Sequence, residues 1–121
     1  MSTRAIIAIK QPNGTINLAR LQRDGYPGHA GAILGGWYKT AEQVEALLAL
    51  GEIRELGTTP EKSEVYEDTF PGSGYVRDEE MLIRNFDMTD YIYLFDNGAW
   101  RVYDTFGTRE WIDLEVKVGN E

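Results

Sequence analysis

The sequence predicts an α+β fold, a mostly antiparallel sheet built from hairpins with a short helical layer on one face. Two hairpin signals, an alternating tail and one capped amphipathic segment between them carry that prediction.

Residues 5–9 form a short apolar run rich in isoleucine, and Asn13-Gly14 follows with the dipeptide that favours a two-residue hairpin turn. Residues 15–21 return as a second strand. Ile16 and Leu18 share one of its faces and Asn17 the other, so the hairpin is expected to lay one side on the core. From Asp24 to Gly36 the chain is glycine-rich, which reads as a turn feeding a close-packed helix with Pro27 at its start. Thr40-Ala41-Glu42-Gln43 fits a capping box, in which the Thr40 hydroxyl accepts from the Gln43 N–H and the Gln43 side chain reaches back to residue 40. The helix it opens puts Val44, Leu47 and Leu48 on one face and stops at Gly51. A further helical turn is expected over residues 52–56.

Residues 58–68 read as an acidic surface loop interrupted by Pro60, and Pro71-Gly72-Ser73-Gly74 as a second loop. The stretch opened by Asp78-Glu79-Glu80-Met81 fits a short helix or an extended segment. Tyr91-Ile92-Tyr93-Leu94-Phe95, the turn Asp96-Asn97-Gly98 and Trp100-Arg101-Val102-Tyr103 make the clearest hairpin of the chain. Tyr91, Tyr93 and Phe95 share one face of its first strand and Ile92 and Leu94 the other, so an apolar face must be covered by the helical layer or by another subunit. Residues 112–118 alternate apolar with charged, as a half-exposed antiparallel strand does.

A chain of 121 residues is expected to form one domain, residues 1–121. With 42% hydrophobic and 26% charged residues it is neither disordered nor collagen-like in composition. No apolar run approaches the roughly 20 residues of a membrane span, and the short run after Met1-Ser2-Thr3-Arg4 is too brief for a signal-peptide core. A cytoplasmic location without membrane contact is therefore expected. The lack of cysteine excludes disulfides, zinc–thiolate sites, iron–sulfur clusters and thiol nucleophiles. A net charge of −8 argues against direct nucleic-acid binding. That charge is uneven: residues 1–41 carry five basic side chains against Asp24 alone, and residues 42–96 carry fourteen acids against four bases. Such a division marks one face for anions and one for a basic partner, or else scattered solvated charge.

Arg20, Arg23 and His29 flank the glycine-rich segment, where small residues let a backbone approach a ligand and amides at a helix start can hold an anion. A turn followed by close helix packing explains the same glycines. Their spacing at 25, 28 and 31 matches neither the dinucleotide fingerprint nor a P-loop. His29 is the single histidine, too few for a multi-histidine metal site, although beside Asp24 it can serve as a lone acid or base. No serine lies in a G-x-S-x-G elbow. Removal of Met1 would make Ser2 an N-terminal nucleophile candidate, but a small second residue is also what that removal itself requires. The acids Glu67-Asp68, Asp78-Glu79-Glu80 and Asp87 with Asp90 lack the spacing of a calcium loop. They read as a solvated face or, beside Tyr66, Phe70 and Tyr75, as an imitation of nucleic-acid phosphate for a basic protein groove. No catalytic residue, metal site or cofactor is expected.

The opening Met1-Ser2-Thr3-Arg4-Ala5-Ile6-Ile7-Ala8, with Asp24-Gly25-Tyr26-Pro27-Gly28, Gly31 and Leu34, resembles a family of small, uncharacterised phage and bacterial proteins. Its members begin with Thr-Arg ahead of a strand and carry Asp-Gly-Tyr-Pro ahead of a helix. Leu47-Leu48-Ala49-Leu50-Gly51, residues 53–57 and the late tyrosine-rich hairpin also look similar. The resemblance implies a phage or mobile-element accessory protein in the cytoplasm of a bacterial host, acting on a host factor or defence system. It also directs attention to Asp24-Gly25-Tyr26-Pro27 with Thr3 and Arg4, which a buried Arg4–Asp24 pair would explain without any ligand.

Three readings of function are open. The leading one is a non-catalytic accessory protein, an inhibitor in kind, that occupies a basic surface on a host or defence protein with Glu64, Glu67, Asp68, Asp78, Glu79 and Glu80. The second is a small-ligand module, sequestering protein or enzyme, that holds a nucleotide-like anion at Arg4, Arg20, Arg23, Asp24, Tyr26 and His29. The third is a structural or assembly subunit that forms a homo-oligomer. Convergence of Arg20 and Arg23 on a concave pocket would favour the ligand, and splaying into solvent the interface.

Overall fold

The computed structural model describes residues 3–65, 74–86 and 88–114. Among them eight strands form one sheet: β1 (Ala5–Lys10), β2 (Ile16–Leu21), β3 (Ile53–Glu55), β4 (Glu64–Val65), β5 (Gly74–Val76), β6 (Tyr91–Asp96), β7 (Ala99–Asp104) and β8 (Trp111–Asp113). Three helices join them, α1 (Ala32–Trp37), α2 (Ala41–Leu48) and α3 (Glu79–Asn85). The fold is α+β, as the sequence predicts. The strand order is β4-β3-β2-β1-β6-β7-β8, and β5 also pairs with β2. All pairings are antiparallel except β1 with β6 and β2 with β3.

The parallel pair β1 and β6 lies at the centre, in register from Ala5 opposite Tyr91 to Ile9 opposite Phe95. Ile7, Ile9, Tyr93 and Phe95 pack with Leu34, Tyr38, Val44 and Leu47 from the α1 and α2 layer. Ile6, Ala8, Ile92 and Leu94 pack on the opposite face with Leu82 of α3. The expectation that the first hairpin lays only one side on the core is thereby corrected: β1 is buried on both faces because α3 covers the second. Parallel neighbours need crossovers that cover both faces of a sheet, and strands buried twice read as continuous apolar runs. Residues 5–9 are such a run.

The capping box forms as expected, with the Gln43 N–H donating to Thr40 Oγ1 at 3.2 Å and the Thr40 N–H to Gln43 Oε1 at 3.1 Å. Val44, Leu47 and Leu48 are buried, and α2 ends ahead of Gly51. The first hairpin closes differently from the two-residue turn expected at Asn13-Gly14. The Gly14 N–H donates to the Gln11 carbonyl at 2.9 Å and the Gln11 N–H to the Thr15 carbonyl at 2.7 Å, a three-residue loop whose last residue, Gly14, has φ +94°. Asn13 does not adopt a positive φ; its Oδ1 instead accepts from the Thr15 N–H at 3.1 Å. At the second hairpin the two-residue turn is realised, with Asn97 and Gly98 at φ +55° and +83° between paired Asp96 and Ala99.

Residues 52–56 do not make the expected helical turn. Ile53 is fully buried, lies parallel to Leu21 and accepts the Gln22 N–H at 2.9 Å, so the free edge of β2 captures this stretch as β3. Within the expected loop over 58–68, the described part holds a 3-10 turn (Pro60–Lys62) capped by Thr59, then β4. Asp78 caps α3, its Oδ1 accepting from the Met81 N–H at 2.9 Å, which decides for the helix there. The alternating tail supplies β8. Its residues 115–118, the loop residues 71–73, and Tyr66, Glu67, Asp68 and Phe70 lie outside the described residues. No helix among the described residues is long and apolar enough to cross a membrane.

Candidate functional site

The Asp24-Gly25-Tyr26-Pro27 motif builds a junction between strand and helix. The Gly25 N–H donates to the Thr3 carbonyl at 2.9 Å, and the Gly25 carbonyl accepts from the buried Tyr93 hydroxyl at 2.7 Å. A Cβ at this position would come within 2.8 Å of Ala5 Cβ, so only glycine fits. Burial pushes the Tyr93 phenol well above its ordinary range, which keeps its proton in place for Gly25. Tyr26 is extended, Pro27 opens a π-helical turn (Pro27–Gly31), and α1 continues from it. Packing thus accounts for the motif.

Arg4 and Asp24 do not form the buried pair that would fix the first strand. Arg4 is exposed, and its main-chain N–H donates to Asp90 Oδ2 at 2.9 Å. The ion pairs among the described residues are Lys10–Glu79, Arg84–Glu80, Arg101–Glu79 and Arg101–Asp96.

The six candidate ligand residues divide between two sides of the sheet. Tyr26 and His29 face each other with ring centroids 6.0 Å apart on the π-helical turn, whose Ala30 belongs to the α1 and α2 core. Arg20 alternates with Ala19 and Leu21 of that core and so lies on the α3 side, its Cζ 5.6 Å from the Phe86 ring centroid. Arg23 is exposed beyond the end of β2. Arg4 and Arg20 meet at a cavity of about 270 Å³, whose lining includes Gln22, Asn85, Phe86, Met88 and Thr89. Sequence reasoning missed Asn85, Phe86 and Thr89, because nothing local ties them to a strand more than sixty residues earlier.

The six candidate interface acids have different surroundings. Asp78 caps α3, and Glu80 makes an exposed pair with Arg84 one turn on, at 2.9 Å. Glu79 is half-buried, its Oε2 accepting from Lys10 Nζ at 3.0 Å and from Arg101 at 3.1 Å. Burial pushes its carboxyl upward, yet the two cations outweigh this and hold it below the usual carboxylate value. Glu64 is exposed on β4, opposite Glu55 of β3 in the strand register. Glu67 and Asp68 lie outside the described residues. Among the described residues no group of three or more acids or histidines is placed to hold a metal ion.

No protein-family model, curated protein or solved structure matches the chain.

Proposed function

We propose that the protein is a non-catalytic binding protein that docks an acidic edge of its sheet onto a basic surface of a partner protein. The Glu55 and Glu64 pair carries this reading. The two carboxylates are register partners on β3 and β4, at the end of the strand order, and neither makes an ion pair among the described residues. Like charges placed directly across two strands weaken a sheet. They gain when a basic groove arrives to neutralise them, and the same field steers that groove toward the edge. Exposed Glu61, in the turn just before β4, adds to the charge. The resemblance of the Thr-Arg strand and the Asp-Gly-Tyr-Pro motif to phage and bacterial proteins supports a host or defence protein in a bacterial cytoplasm as the partner.

The test is affinity capture from bacterial lysate with the wild-type chain and with a Glu61→Lys, Glu64→Lys double variant. Proteins retained by the wild type at low salt should be lost by the variant, whose thermal midpoint should hold or rise, because both side chains are exposed and the change at residue 64 removes the repulsion with Glu55. Equal retention by the two chains would overturn the proposal.

A further inference from the structure

We propose a second site, independent of the acidic edge: the cavity between the C-terminal end of α3 and residues Arg4 and Arg20 binds a nucleoside monophosphate. The lining supplies the chemistry. It brings together two guanidinium groups, two side-chain amides and a hydroxyl, and among the described residues it contains no carboxylate. Neither Arg4 nor Arg20 makes an ion pair among the described residues, in a chain where acids outnumber bases twenty to twelve. Asp90 is engaged by the Arg4 main chain at 2.9 Å rather than by its side chain.

Arginine in this setting is a phosphate ligand. Its planar fork matches two phosphate oxygens at once, and it needs no desolvation of a competing carboxylate before an anion can bind. The face of Phe86 holds the Arg20 guanidinium at 5.6 Å, which lowers the ordering cost of binding. The side-chain amide of Gln22 donates to Glu52 Oε2, leaving its carbonyl oxygen free to accept from a ribose hydroxyl or a base. The exposed Met88 offers apolar surface to the flat face of a base. The volume of about 270 Å³ lies just under the roughly 300–1,000 Å³ of ligand pockets, and because the cavity opens to solvent it suits a phosphate and sugar held inside with the base against its rim.

The experiment is calorimetric titration of the full chain, at fixed ionic strength, with AMP, GMP, CMP and UMP, and with inorganic phosphate and adenosine as fragments. At least one monophosphate should bind, and more tightly than either fragment. Arg4→Gln and Arg20→Gln should each weaken that binding about tenfold or more, Arg20→Lys should fall between, and Arg23→Gln, outside the lining, should match the wild type. Arg4, Arg20 and Arg23 are all exposed, so their variants keep the fold, and a thermal melt confirms this for each. Absence of binding by all four monophosphates would overturn the proposal, as would wild-type affinity in Arg4→Gln and Arg20→Gln. Inorganic phosphate binding as tightly as the best nucleotide would overturn the mononucleotide assignment.

Discussion

The two ends of α3 lie over the same face of the sheet and treat cations in opposite ways. At the N-terminal end Lys10 and Arg101 converge on Glu79, at 3.0 and 3.1 Å, and Asp96 takes Arg101 from the other side at 3.3 Å. At the C-terminal end Arg4 and Arg20 line a cavity with Asn85 and Phe86, and no carboxylate among the described residues joins them. Each end lays an arginine over an aromatic ring, Arg101 at 5.1 Å from the Trp111 centroid and Arg20 at 5.6 Å from that of Phe86. The polarity of the helix suits both, with an acid in its first turn and a cation near its last. What differs is the counter-ion. Where the carboxylates are present, charge fastens α3 to β1 and β7. Where the described residues supply none, two arginines line a cavity without an ion-pair partner among those residues.

Both ends depend on α3 staying seated, and Leu82 is the fully buried side chain that seats it against Ile6, Ile92 and Leu94. Leu82→Ala should therefore give the largest effect, a loss of about 3 kcal/mol from the lost transfer energy and the cavity left behind. Urea unfolding at neutral pH measures it. A loss below about 0.5 kcal/mol, the size of an ordinary surface change, would mean that α3 is not what joins the two ends.

The sequence shows the closed end more readily than the open one. The Thr40 capping box, the Asn97-Gly98 turn and the apolar run of β1 are local signals, and each is where it was expected. The triplet Asp78-Glu79-Glu80 reads as one acidic patch, but the fold separates it into a helix cap, a half-buried double ion pair and a surface pair with Arg84. The cap was only half legible, since Asp78 ahead of Glu79-Glu80-Met81 fits a helix start or an extended segment, and the bond from the Met81 N–H decides between them. The role of Glu79 was not legible, because Lys10 and Arg101 come from strands far away in the chain. The same distance hid the cavity, and Arg20 was grouped with His29 from sequence proximity when strand alternation sends it to the other side of the sheet. β3 was misread because its strand character comes from the edge of β2 rather than from its own residues.

Glu79→Gln should produce the middle effect, about 1–2 kcal/mol at neutral pH. Solvent screens the network, whose four side chains remain 25–34% exposed, and this keeps the effect small. Its pH dependence has a definite sign. The Glu79 carboxyl sits below its ordinary value of 4.5, so its contribution is complete above that pH and is lost as the pH falls through the lowered value. Lys10 sits above its ordinary 10.5, raised by its hydrogen bond and charge contact with Glu79, so its share is complete below 10.5 and is lost as the pH rises through the raised value. Urea midpoints of wild type and variant should stay a constant distance apart across the neutral range and converge in acid, as the pH falls through the lowered Glu79 value. A gap that persists in acid would show that Glu79 contributes through shape rather than charge.

Asn85→Asp should have the smallest effect on stability, and it addresses the comparison most directly, because it gives the open end the carboxylate that the closed end already has. Attraction to Arg4 and Arg20 across a solvated cavity stabilises by about 0.2–1 kcal/mol. An acid in the last turn of α3 opposes the helix dipole by about 0.3–1 kcal/mol. The two nearly cancel, so the unfolding free energy measured in urea should change by no more than about 0.5 kcal/mol. Nucleotide binding has no such cancellation: the new carboxylate competes for both guanidinium groups and repels the incoming phosphate, so titration with the monophosphate that the wild type binds most tightly should show binding lost in a protein as stable as the wild type. Wild-type affinity in Asn85→Asp would place the ligand away from the helix end. The contrast between the two ends would then reduce to the polarity of α3, with Arg20 there to satisfy the helix rather than a guest.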